Sequence, residues 1–194
     1  PRATALSPED QPLAFPSSEY VRALPRAPDR LRIVFLVLDA PLSGGVLEIR
    51  QIANRLILEG HDALIATVSR EEMFRRLGLL TQPLVFRDEA QLVELLPEAD
   101  VVVATHWRTA WAWMPALAAH RRFLPVYYVQ DLEADFYPAR LPEHARALES
   151  YGRVEHLITT SRWLVERLAA LGHGATQIPC GIDLGVFYPR GGRE

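Results

Sequence analysis

The feature that most constrains the fold is an alternation along the chain. Apolar, β-branched runs ("RIVFLVLDA", "HDALIATV", "PLVFR", "ADVVVATH", "FLPVYYVQ", "EHLITTS", "ATQIPCGI") are separated by stretches with helical periodicity. A strand with one wet face alternates apolar and polar residues, so a run that is apolar throughout suits a strand covered on both faces. The first intervening stretch sets Ile49, Ile52, Ala53 and Leu56 at i, i+3, i+4 and i+7, one stripe for packing on a sheet. Gly60 stands where such a helix stops, and Ser161 and Gly172 bracket "RWLVERLAALG" as cap and terminator. Further helices are predicted in "EEMFRRLGLL", "DEAQLVELL", "WRTAWAWMPALAAH" and "PEHARALESYG". Strands alternating with helices predict an α/β fold, a Rossmann-like doubly wound parallel sheet of about seven strands. Ligands of such sheets lie at the carboxyl ends of the strands. That places the candidate residues at Ser43-Gly44-Gly45, His106-Trp107, Gln130-Asp131 and Thr160-Ser161.

Composition narrows the chemistry. The 194 residues suffice for one domain with a substantial core, and 49% apolar content excludes disorder throughout. Residues 1–30 hold six of the fifteen prolines and read as an extended tail or linker. The net charge of −3 comes with no basic block, which argues against a nucleic-acid partner. No apolar run reaches the roughly 20 residues of a membrane span, and the first residues lack the order of a signal peptide. The single cysteine, Cys180, has no partner for an internal disulfide and reads as a packed small side chain. These points predict a reducing, cytoplasmic setting. All 21 basic residues are arginine. A phosphate-binding P-loop and a Schiff-base enzyme each need a lysine, so both are excluded, and a receiver domain fits poorly.

Gly44-Gly45 opens the first helix of the alternation. Glycine lets a ligand approach bare backbone, and a helix N-terminus suits a phosphate. The pattern is not G-x-G-x-x-G, so a dinucleotide oxidoreductase is disfavoured. His106 can position a hydroxyl or phosphate, and Trp107 can stack on a sugar. "AWAWMPALAA", with Trp111 and Trp113, is apolar nearly all round, so it is either deeply buried or touches a partner or lipid. The run "VQDLEADFYP" gathers Gln130, Asp131, Glu133, Asp135 and Tyr137. In extended chain the three carboxylates share one side and could ligate a hard cation. The amide and the flanking aromatics fit carbohydrate hydroxyls better, with Asp131 able to accept a proton.

Taken together, "PLSGGVLEIRQIANRLILEGHDALIATV" and "LITTSRWLVERLAALGHGATQIPCGIDLGVFYP" resemble the N-terminal domain of GT-B glycosyltransferases of family 4 and its exit into the interdomain linker. "YVQDLEADFYP" resembles the rhamnosyltransferase branch, which builds cell-surface polysaccharides. The likeness covers residues 31–189, with 190–194 opening a linker to a donor domain that lies outside this chain. It implies a retaining transferase that takes its sugar from a nucleotide-sugar substrate, with no other cofactor. Gly44 and Gly45 would face the donor phosphates. His106, Trp107, Gln130, Glu133 and Tyr137 would hold the acceptor, a glycan or lipid-linked saccharide. Asp131 would be the catalytic carboxylate, with no metal. Many members carry a histidine near the Gln130-Asp131 position, and this chain does not. The resemblance also implies little turnover by this domain alone, and peripheral contact with the inner face of a membrane. Two other readings stand beside it: a metal-dependent transferase using Asp131, Glu133 and Asp135, and a non-catalytic module binding a glycan or protein.

Overall fold

The structure, a computed structural model, describes residues 17–24, 29–38, 43–69 and 78–182. The predicted helix "EEMFRRLGLL" falls mostly outside the described residues, as do Asp183 and the "GVFYP" segment. The described strands are β1 (Arg32–Val37), β2 (Asp62–Thr67), β3 (Leu84–Val85), β4 (Val101–Ala104), β5 (Leu124–Val129), β6 (His156–Thr159) and β7 (Ala175–Gln177). They form one seven-stranded sheet in the order β3-β2-β1-β4-β5-β6-β7, and every pairing is parallel. The fold is therefore the doubly wound α/β sheet that the alternation predicts. The chain winds from β1 out to β3 and then returns past β1 to begin β4. That reversal places the switch point, where ligands of open α/β sheets bind, between the carboxyl ends of β1 and β4.

Both faces of the sheet are covered at β1, β2 and β4, which is why these strands are apolar at successive positions. Helix α2 (Gly44–Leu58) packs Ile49 and Ala53 with Phe35, Ile65, Val103 and Tyr128 on one face. Helix α3 (Glu89–Leu95) supplies Leu92 to the other face, where it joins Leu36, Ala104, Tyr127 and Val129. Leu164 and Leu168 of α6 (Arg162–Ala170) belong to that same cluster. Trp113, Tyr127 and Tyr151 are among the largest fully buried side chains. Each such burial contributes on the order of 2 kcal/mol.

The cap signals in the sequence correspond to hydrogen bonds. Ser43 and Ser161 accept from the amides of Val46 and Leu164 at 3.3 and 3.2 Å. Gly60 and Gly172 adopt φ of 94° and 87°, the left-handed region that ends a helix at low cost for glycine alone. At the amino ends of the central strands, buried Arg32 ties three elements together. Its amide donates to Asp100 Oδ2 at 2.7 Å, and its Nε donates to Asp62 Oδ2.

Two segments differ from the sequence reading. Within the stretch read as an extended tail, α1 (Ser18–Ala23) is helical. Prolines are absent from 17–24, Ser17 caps the amide of Tyr20 at 3.1 Å, and Val21 is buried. The tryptophan-rich helix, α4, turns helical at Trp107, passes through a π-turn over Thr109–Trp113 and finishes as Met114–Ala118. Pro115 has no N–H to give the carbonyl four residues back, and Met114 bonds instead to the carbonyl of Thr109. Thr109, Ala110, Trp113, Met114 and Leu117 are buried. Burial therefore explains most of the apolar surface of this helix.

Candidate functional site

Three segments meet where the topology predicts a site. The first is the start of α2. Gly45 lies against the loop after β5, with Gln130 Nε2 donating to the Gly45 carbonyl at 3.3 Å. A Cβ at position 45 would stand 2.0 Å from Gln130 Oε1, so the contact needs a residue without a side chain. A Cβ at Gly44 would meet nothing within 4 Å, and that position is exposed.

The second segment leaves β4. Thr105 Oγ1 donates to the Leu36 carbonyl of β1 at 2.8 Å, tying the two strands that flank the switch point. Thr109 Oγ1 accepts from the amides of Thr105 and His106, both at 3.2 Å, and donates to the His106 carbonyl at 2.8 Å. The His106 ring caps α4, with Nδ1 accepting from the Arg108 amide at 3.1 Å. A nitrogen that accepts a hydrogen bond carries no proton, so this geometry leaves the ring proton on Nε2. His106 Nε2 stands 3.6 Å from Glu133 Oε1.

The third segment is the loop after β5. Asp131 is exposed and its Oδ1 accepts from the Leu132 amide at 2.7 Å. The chain then enters a 3₁₀ turn, Glu133–Phe136, which breaks the extended geometry that would have aligned Asp131, Glu133 and Asp135. Glu133 is turned inward and only 8% exposed, while Asp131 and Asp135 remain exposed. Among the described residues, no group of three His, Cys, Asp or Glu side chains could hold a metal ion. Glu133 Oε2 accepts from the Trp107 amide at 2.7 Å and from the Tyr127 hydroxyl. Burial pushes the Glu133 carboxyl up to about 7, aided by the charge of Asp131, while the bonds from Tyr127 and the Trp107 amide pull it down. Burial and the Glu133 carboxylate together hold the Tyr127 hydroxyl far above the ordinary phenol range.

Aromatic rings form a wall behind these groups. Trp107 is buried, tilted against His106 at 5.7 Å and edge-on to Tyr137 at 6.0 Å, with its Nε1 donating to the Tyr137 hydroxyl at 3.1 Å. Tyr127 stacks on Tyr151 at 5.9 Å. Trp111 lies toward the helix α5 (Pro142–Ser150), with Arg146 and Arg153 over its ring at 5.1 and 5.0 Å and Glu149 accepting from its Nε1 at 3.0 Å. No described helix is long and apolar enough to cross a membrane.

The structure thus brings Gly45, Gln130, Asp131, His106, Trp107, Glu133 and Tyr137 into one neighbourhood, with Trp107 and Glu133 inside its wall. Sequence reasoning missed Tyr127, which sits in an apolar run with no mark of its partner, and Thr109. The spacing of Thr109, three residues after His106 at a helix start, is the signal that could have identified it as a cap. Ser161 is the cap of α6, and the Thr160 carbonyl accepts from Gln177 Nε2 at 3.4 Å. Cys180 is exposed rather than packed, and its Sγ donates to Glu48 Oε1 at 2.6 Å. The Glu48 carboxylate pushes that thiol up, which disfavours the thiolate a nucleophile needs. Cys180 lines a hollow of about 840 Å³ between α2 and the segment after β7, away from His106 and Glu133. A second hollow, of about 1120 Å³, lies at the opposite ends of the strands beside Asp100, Trp113 and Arg121.

No family model and no curated protein matches this chain. Solved structures do. Sucrose-phosphate synthase from Thermosynechococcus elongatus is similar over 83% of this chain and 51% of its own, at a TM-score of 0.57 and 17% identity. HepE of Anabaena, solved in complex with UDP-glucose, is similar over 81% of this chain and 46% of its own, at 0.57 and 16%. A shorter structure of the same sucrose-phosphate synthase is similar over 80% of this chain and 92% of its own, at 0.50 and 15%. The chain therefore spans about half the length of the first two. At these identities the likeness is one of fold.

Proposed function

We propose that this chain is the acceptor-side domain of a nucleotide-sugar-dependent glycosyltransferase of GT-B architecture. The observation that carries the reading is the contact of Gly45 with Gln130, which joins a bare helix start to an amide–carboxylate loop beside the switch point. Its fold-level neighbours include a sucrose-phosphate synthase and a protein that binds UDP-glucose, which favours this class over others that share the sheet.

In this reading the exposed Gly44 amide region faces the donor diphosphate, where oriented N–H groups stabilise charge on the leaving group. Gln130 and His106 orient the acceptor hydroxyl, an effect of proximity. As the acceptor oxygen bonds to the anomeric carbon, the bond to the diphosphate breaks and the diphosphate leaves with the electron pair. The hydroxyl proton passes to the exposed Asp131 carboxylate. Trp107 and Tyr137 form the rear wall, and Glu133 stands behind His106. The finer reading, a retaining transfer of rhamnose to a cell-surface glycan or a lipid-linked saccharide, rests on the resemblance of the Gln130 to Pro138 run. The metal-dependent alternative loses its footing, because Asp131, Glu133 and Asp135 do not converge.

The test is an amide-resolved NMR titration of the chain with UDP, dTDP, methyl glucoside and methyl rhamnoside. Shifts are expected to gather at 43–46, 106 and 130–131, with the rhamnoside preferred over the glucoside. Shifts confined to the hollow lined by Glu48, Tyr128 and Cys180 would overturn the assignment.

A further inference from the structure

We propose that Glu133 is a positioning residue whose charge reinforces the Nε2–H form of His106 that the Arg108 amide selects, so that His106 meets a ligand as a hydrogen-bond donor and not as a base. The proposal rests on the reading of this edge as a sugar-handling site, and it gives Glu133 a different task from contact with the acceptor.

The geometry leaves the carboxylate little choice. Its Oε2 is held by two donors from different elements, the Trp107 amide at the start of α4 and the Tyr127 hydroxyl on β5. Two such bonds define the carboxylate plane, and Oε1 is then directed at His106 Nε2, 3.6 Å away. That separation is beyond hydrogen-bond reach, so the influence is that of a negative charge on the nearer N–H. The far side of the ring is set independently, because the Arg108 amide donates to Nδ1. Both constraints select the Nε2–H form. An imidazole that accepted a second proton on Nδ1 would have to give up the helix cap.

Among the described residues, the groups that face Glu133 are His106 from the segment after β4, Tyr127 from β5, Asp131 from its own loop and Tyr151 from the end of α5. His106 is the nitrogen base among them. A proton gained at the Glu133 carboxyl therefore changes the field felt by His106. With the carboxylate charged, His106 offers a donor to a hydroxyl or phosphate oxygen. With it neutral, the electrostatic bias toward Nε2–H is lost.

The ring nitrogens of His106 report this directly in long-range ¹H–¹⁵N spectra of the full chain, with no ligand present. Wild type is expected to show the Nε2–H tautomer at pH 8, with an inflection in the ring shifts as Glu133 titrates. Glu133→Gln is expected to lose the inflection and to shift the ring toward a mixture of tautomers, with the β4 and β5 amide signals kept as the control for folding. Tyr127→Phe supplies a second reading that leaves both partners in place. It removes one donor to the carboxylate, and the inflection seen at His106 must move to higher pH. Ring shifts in Glu133→Gln that match wild type, or an inflection unmoved in Tyr127→Phe, overturn the proposal. Because these spectra involve no saccharide or nucleotide, they can fail while the ligand titration described above succeeds, and the reverse.

Discussion

Replacing Gly45 by alanine separates a requirement for backbone freedom from a requirement for space. Gly45 lies in the first turn of α2 and does not have positive φ, so alanine meets no torsional strain there. Its methyl group would stand 2.0 Å from Gln130 Oε1 and 3.1 Å from Cδ, against an ordinary contact of 3.4 Å or more. The carboxamide must retreat by more than an ångström, which a flexible side-chain end can do. The retreat breaks the 3.3 Å bond from Nε2 to the Gly45 carbonyl, a loss of about 1 kcal/mol. Alanine gains up to about 1 kcal/mol over glycine in a helix, less at its first turn. The two nearly cancel, so Gly45→Ala should unfold within about 1 kcal/mol of wild type, a shift in Tm of no more than about 4 °C. Gln130→Ala should cost about 1 kcal/mol by losing the bond. In the double variant the methyl group enters the space Gln130 vacated. Urea melts of all four proteins therefore close a cycle with a coupling energy of about 1 kcal/mol. Additive effects would refute the contact, and a loss above about 3 kcal/mol in Gly45→Ala alone would show that backbone constraint, not space, selects glycine.

Stability should carry the mark of Glu133 on pH. Its folded-state carboxyl binds a proton more tightly than the unfolded chain, with a value of about 7 against 4.5. Its contribution is thus fully present below the lower value and lost as pH rises through the higher one, by about 3 kcal/mol in all. The stability difference between wild type and Glu133→Gln in urea should fall by that amount from pH 4.5 to 8, whereas parallel curves would contradict the burial argument. Thr109→Val removes the oxygen that serves the Thr105 and His106 amides, and should cost about 2–4 kcal/mol in the same melts. At the other end of the strands, Asp62→Ala leaves the Arg32 guanidinium buried without that partner and should cost about 3 kcal/mol. Arg32→Met should cost less, since Asp62 is partly open to water. Equal losses would mean that the ion pair, not the stranded charge, dominates.

The sheet was legible because its central strands are buried on both faces and carry that fact in their own residues, as in Ile33 through Val37. Helix ends were legible where the capping group is local, as at Ser161, Gly60 and Gly172. The candidate site was legible in outline only as a neighbourhood, because parallel order alone sends Gly45, His106 and Gln130 to one edge. The direction of Glu133 was not. Spacing by two places carboxylates on one side only in extended chain, and the 3₁₀ turn that inverts this is stabilised by partners 6 and 26 residues away, Tyr127 and Trp107. A non-local partner leaves no periodicity. The short helix at 18–23 was hidden for the opposite reason: prolines on either side dominate the reading of a stretch that itself has none.

The π-turn in α4 adds roughly one residue to a turn, equivalent to about 100° of rotation. It acts as a phase shift. Residues 106–109 are oriented by their bonds to Glu133 and Thr109, whereas Met114 and Leu117 are oriented by the core, and the surplus residue lets both ends satisfy their own surroundings. Hydrogen bonding at one end of the helix is thereby insulated from packing at the other, so drift in the core-facing residues need not rotate the imidazole.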